Sequence, residues 1–227
     1  MSSTAREDIL RTARAALTRK QAGAGHEAAD SSRDIAAALD AATPASPAAL
    51  LAQFAEEVKA LGADLLTASS TAETAEAVVG YLRSHGYNRI ALTGSPVLED
   101  LVPLLEQGGF LVERIASLPP EEGRSRLSSA DAALTGADHA LADTGTLVFT
   151  PHSLPDPLSA TLPPCHIAVL TREQVLPHMW ALFHEHPAVK DTPLFLVSGP
   201  SRTADIEKKL VLGAHGPSRM LVVVKSP

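Results

Sequence analysis

The sequence holds a single cysteine, Cys165, among 227 residues. It can form no internal disulfide, and alone it cannot supply the four thiolates of a typical iron–sulfur cluster. Aromatic side chains are scarce at 4%, so a core must rest on Leu, Val, Ile and Ala. Basic excess is also lacking. The formal net charge is −7, which argues against a nucleic-acid footprint, because phosphate backbones call for a Lys/Arg-rich face. No stretch approaches the roughly 18 apolar residues of a membrane span. The start, MSSTAREDILRTARAALTRK, has no apolar segment of the secretory kind, and a cytoplasmic location is expected by elimination. The sequence contains no G-x-G-x-x-G, no G-x-S-x-G and no P-loop spacing. No His/Cys spacing suits zinc, so no metal site is expected in this chain.

What is present is an ordinary balance for a globular protein, 45% apolar and 20% charged. Residues 4–19 read as a weakly amphipathic helix carried by Ile9, Ala13 and Leu17. Residues 20–34 are Gly-, Ala- and Ser-rich and read as a linker. Residues 1–45 are therefore expected to form a helical arm and linker, with an α/β domain over 46–227.

From Ser46 the pattern sharpens. Ser46-Pro47 is an N-cap followed by proline at the first helical position. Leu50, Phe54, Val58 and Leu61 then recur on one face, and Gly62 suits a helix stop. A strand is expected at 63–69, a helix at 71–86, a strand at 89–94, a helix at 95–109 and a strand at 110–115. Alternation of this kind predicts a mostly parallel sheet with helices packed on it. After residue 137 the rhythm becomes irregular. Strands are expected at 139–150, with a turn inside, and at 165–170. A helix with a Thr171/Gln174 capping box follows, with Pro177 bending or delaying it. The remaining expectations are a strand at LFLVSG, a helix beginning in SRTADIEKKLVLG and a last strand at RMLVVVK.

Two segments concentrate groups able to do chemistry. In LADTGTLVF, residues 141–149, Asp143, Thr144, Gly145 and Thr146 interrupt an apolar strand pattern. A hairpin turn explains the Asp and the Gly, while the tight apolar flanks suggest a partly buried polar site. In SGPSRTADIEKKLVLGAHGP, residues 198–217, strand, glycine loop and helix start follow in order. That form turns backbone N–H groups and the positive end of a helix toward an anion, with Gly199, Ser201, Arg202 and Thr203 as its binding groups. Asp205 and Glu207 in the first turn argue for a carboxylate or a single phosphate over a polyphosphate. His215, between Gly213 and Gly216, suits an acid, a base or an anion ligand, or a plain helix cap. Cys165 beside His166 at a strand start has the form of a nucleophile, but such a cysteine is more often a small buried hydrophobe.

Taken as a pair, ADHALADTGTLVF and SGPSRTADIEKKLVLGAHGP resemble the LUD domain, the lactate-utilization family, over about residues 46–225. The resemblance implies a three-layer α/β/α fold of the NagB/RpiA/CoA transferase-like kind, shared with glucosamine-phosphate deaminase and ribose-phosphate isomerase. It implies a part in oxidising L-lactate to pyruvate beside two iron–sulfur partners, lactate utilization proteins A and B. Iron–sulfur clusters would then be held by those partners and no cofactor by this chain. On this reading Asp143 and His215 are the candidate proton-transfer groups. Thr144, Gly145, Thr146, Gly199, Ser201, Arg202 and Thr203 would hold a small carboxylate or anion. A stand-alone enzyme of the same superfamily and a non-catalytic regulatory subunit remain alternatives.

Overall fold

The computed structural model describes residues 43–44, 46–204, 210–212 and 216–226. The expected N-terminal arm, Asp205, Glu207 and His215 lie outside the described residues. So does the side chain of Thr203.

Helix α1 (Pro47–Ala60) starts where Ser46 accepts a hydrogen bond from Ala49 N. Gly62 follows it, as the sequence predicts. Strand β1 (Asp64–Ala68), helix α2 (Thr71–Ser84, capped by Ser70) and strand β2 (Arg89–Leu92) come next. The single helix expected at 95–109 is two, α3 (Pro96–Glu99) and α4 (Val102–Gln107). Pro103 is the reason. It has no N–H to return to Glu99, so the chain restarts through the short-range bonds Leu101 N to Leu98 O and Leu104 N to Leu101 O. Strand β3 (Leu111–Arg114) precedes two elements with no counterpart among the sequence expectations, helix α5 (Pro120–Ser129) and strand β4 (Ala132–Gly136). Asp131, between them, accepts from both Asn88 N and Arg89 N at 2.8 Å and ties β4 to the start of β2.

The 139–150 segment is a hairpin, β5 (His139–Leu141) and β6 (Thr146–Phe149). Strand β7 (Cys165–Thr171) leads into the capping box, in which Thr171 N donates to Gln174 Oε1 at 2.6 Å. The box caps only a 3₁₀ turn, after which the chain enters the two-residue strand β8 (Val175–Leu176). Pro177 delays the helix. It begins as α6 (Met179–Glu185) and is capped by His178 Nδ1, which accepts from Ala181 N at 3.0 Å. Strand β9 (Phe195–Val197) follows.

The helix expected to start in SRTADIE is not formed at its ends. Arg202–Ala204 is strand β10, paired antiparallel with β11 (Leu210–Leu212). Strand β12 (Arg219–Lys225) closes the described chain.

Six strands form one parallel sheet in the order β1-β12-β7-β4-β2-β3. Strands β7 and β12 lie inside it and are buried on both faces, which is why CHIAVL and MLVVV read as unbroken apolar runs. On one face Val78, Leu82, Leu98, Leu101 and Leu105 pack against Leu92, Leu134, Ile167 and Val223. On the other face Phe54 and Val58 of α1 pack with Ala168, Leu170 and Val222, and Leu127 of α5 packs with Ala91. Helices thus cover both faces of the sheet, a three-layer α/β/α arrangement.

A second sheet, β8-β5-β6-β9, lies on the α1 face. Its Ala140, Ala142, Leu147 and Phe149 join the core formed with α1. Its opposite side, Leu141, Val148 and Leu176, is covered by Leu182 of α6. The hairpin is therefore buried on both sides, and this double burial accounts for the apolar flanks of Asp143–Thr146.

Candidate functional site

The Asp143–Thr146 turn and the loop after β9 meet. Asp143 N donates to Pro177 O at 3.0 Å, and the Thr144 hydroxyl donates to Asp143 Oδ1 at 3.2 Å. Both side chains face solvent, whereas Gly145 and Thr146 are buried. The Thr146 and Ser198 hydroxyls are 2.8 Å apart and join the two segments.

Between the segments lies the end of α1. Gly145 has φ of 61°, and a Cβ there would lie 2.8 Å from Val58 N. Gly199 has φ of 81°, and a Cβ there would lie 2.9 Å from Leu61 Cβ. Each glycine serves a left-handed backbone and a close approach at once. Arg202 Nη2 donates to Leu61 O at 2.5 Å, and Ser201 N donates to Pro217 O at 2.8 Å.

A guanidinium on a helix-terminal carbonyl is a favourable pairing with the negative end of the helix. It replaces the expected arrangement in which a helix N-terminus at Arg202 would face an anion. Gly145, Gly199 and Arg202 thus close on residues 57–61 at the end of α1, with Thr146 tied to the Gly199 loop through Ser198, while Asp143 and Thr144 stay at the solvent-facing turn and Ser201 is held by Pro217.

Cys165 is fully buried, and burial pushes its thiol up to about 12. It is protonated at neutral pH and packs as a small hydrophobe. His166 is also fully buried, held down to about 4 by desolvation, with its Nε2 2.7 Å from the Thr135 hydroxyl. Its Nδ1 has no partner among the described residues. His184 and His186 sit exposed at the end of α6. Among the described residues no group of three His, Cys, Asp or Glu could hold a metal ion. Nor is any described helix long and apolar enough to cross a membrane.

A cleft of about 370 Å³ opens elsewhere, beside the carboxyl ends of β2 and β3. Strand order places it suggestively. From β2 the chain moves outward to β3, then returns past β2 to β4, so the order reverses between β2 and β4. In open α/β sheets, ligands bind outside the carboxyl ends of strands at such a reversal. The cleft is lined by Thr93 after β2, Ile115 and Leu118 after β3, Arg124 of α5, and Asp156 and Ser159 of the loop after β6. None of these was a sequence candidate. The readable signal is RIALTGSP, strand then Thr-Gly then helix cap, with Thr93 at the strand end.

A family model for the LUD domain matches residues 51–224. Lactate utilization protein C of Geobacillus thermodenitrificans is 27% identical over 194 residues, covering 77% of this chain and 78% of that protein. Lactate utilization protein C 1 of Bacillus mycoides is 32% identical over 110 residues. That match takes in 46% of this chain and spans about half, 47%, of the relative's length. Among solved structures, a DUF162 family protein from Deinococcus radiodurans superposes with a TM-score of 0.61 and 25% identity. It covers 80% of this chain and 99% of that one. The fold is the NagB/RpiA/CoA transferase-like one, and with the family model matched across its α/β core the chain belongs to the LUD domain family.

Proposed function

We propose that this protein is a component of a cytoplasmic L-lactate oxidation system that delivers electrons from lactate to iron–sulfur partner proteins. The observation that carries this reading is the similarity to lactate utilization protein C over more than three quarters of both chains. The single, buried cysteine supports a division of labour in which clusters reside on partners, since this chain has no thiolates to offer them. Lactate gives up two electrons and two protons on becoming pyruvate. In this reading partners of the lactate utilization A and B kind accept the electrons, and this chain binds a small carboxylate or organises the assembly.

The test is genetic and biochemical together. Clean deletion of the gene should abolish growth on L-lactate, and the tagged protein should co-purify with cysteine-rich, iron-containing partners. Normal growth on lactate after deletion would sink the reading. A second reading, a self-sufficient enzyme on a small acid or acyl compound, draws on the cleft at the strand-order reversal. It predicts turnover by the isolated chain without any partner.

A further inference from the structure

Beside Thr93 the fold presents polar groups that it does not itself use. The Thr93 side chain is 3% exposed, and its hydroxyl has no hydrogen-bond partner among the described residues. Natural proteins seldom leave a buried hydroxyl so, because the lost water contacts are not repaid. Helix α5 borders the same cleft through Pro120, Gly123 and Arg124. Pro119 precedes it, so no side chain caps its first amides, and the positive end of a ten-residue helix, partly offset by Glu121 and Glu122 in its first turn, stands at the cleft edge. Among the described residues Arg124 is held by a loose 3.7 Å contact with Glu121, which is itself 94% exposed. Facing them are Ser159, 2% exposed, and Asp156, whose Oδ1 accepts from Leu158 N at 2.9 Å. Ile115 and Leu118 form an apolar wall.

We propose that this cleft binds a small organic acid, its carboxylate held by Arg124, the first turn of α5 and the Thr93 hydroxyl. Ile115 and Leu118 pack against the acid's carbon chain. The charge of the site selects a monoanion. Asp156 in the facing wall, with Glu121 and Glu122 in the first turn of α5, repels a phosphate dianion more than a carboxylate, so the one guanidinium suits a single charge at most. The cleft volume of about 370 Å³ leaves room for a carbon body larger than that of lactate. The carboxylate follows from the cleft itself, whereas its belonging to a 2-hydroxy or 2-oxo acid rests on the lactate-utilization reading above.

Titration calorimetry on the full chain near neutral pH tests this with L-lactate, pyruvate, 4-methyl-2-oxopentanoate and inorganic phosphate as probes. The branched oxo acid should bind most tightly and phosphate least. Arg124→Gln should weaken acid binding by roughly tenfold or more, the loss expected of a charge-assisted contact. Thr93→Val should weaken it too, while the melting temperature of the ligand-free protein stays level or rises, because an unpaired hydroxyl is removed. Thr93→Ser should restore binding. Absence of binding by every acid overturns the proposal. So does tighter binding of phosphate, or wild-type affinity in both Arg124→Gln and Thr93→Val. Acid binding in a protein whose deletion leaves lactate growth intact would sink the pathway reading and leave the cleft standing. Lost lactate growth with no acid bound would do the reverse.

Discussion

The Arg202 guanidinium donates to the carbonyl of Leu61, 141 residues earlier in the chain, across 2.5 Å. The contact joins the loop after β9 to the end of α1, so an arginine with the look of an anion ligand serves as a helix C-terminal partner. Arg202→Ala should therefore lower stability by about 1 kcal/mol, a charge-assisted bond discounted for its exposure. Urea unfolding measures it, and Arg202→Lys should recover part of the loss. An unchanged midpoint would remove the contact from the fold's support.

Gly145 combines a φ of 61° with backbone of α1 where a side chain would stand. Gly145→Ala should cost about 2 kcal/mol or more, since the left-handed backbone alone costs an L-residue roughly 1–2 kcal/mol and α1 must also shift. Denaturant titration is the measurement. A loss below about 0.5 kcal/mol would mean that α1 yields easily.

His166 gives the fold a pH dependence whose sign is fixed. Desolvation holds it near 4 in the folded chain, against 6.5 ordinarily. Between those values the unfolded chain binds the extra proton, so stability is full above about pH 6.5 and is lost as pH falls toward 4. The loss amounts to roughly 3 kcal/mol at the acid end. His139 is lowered in the same sense, first by desolvation and then by His186, and adds to the slope. Unfolding midpoints at pH 7 and pH 5 should differ less in His166→Gln than in the wild type. Equal slopes in both would assign the acid sensitivity elsewhere.

Cys165 should be inert in the native state. It is fully buried, and its thiol is pushed up to about 12, first by desolvation, so neither access nor thiolate is available. An aromatic disulfide reagent should label it only at the rate of unfolding and at once in strong denaturant. Rapid native labelling would show that β7 opens locally.

Much of the architecture is legible in local chemistry. Ser46-Pro47 and Gly62 bracket α1 because cap and stop signals act within one helical turn. The runs CHIAVL and MLVVV announce strands covered on both faces. Helix α5 escaped because Leu127 is its one large buried side chain, too little for a periodic pattern. Strand β4, AALTG, has one large apolar residue, Leu134, among small ones that weakly mark any element. The segment at Arg202 reads as a capped helix from its own composition. It enters as a strand because Arg202 and Ser201 are held by Leu61 and Pro217, partners that no local window contains.

The sequence by itself determined the α/β class, the parallel sheet, the helix boundaries set by Ser, Pro and Gly, and the pairing of two motifs that resembles one family. Only the tertiary structure decided that those motifs close on α1, and that the open cleft lies beside Thr93 and Arg124. The reason is physical. Caps, turns and hydrophobic periods are short-range and written in neighbouring residues. What fills the space beside a glycine turn, and which buried hydroxyl goes unpaired, depends on segments that meet only when the chain has folded.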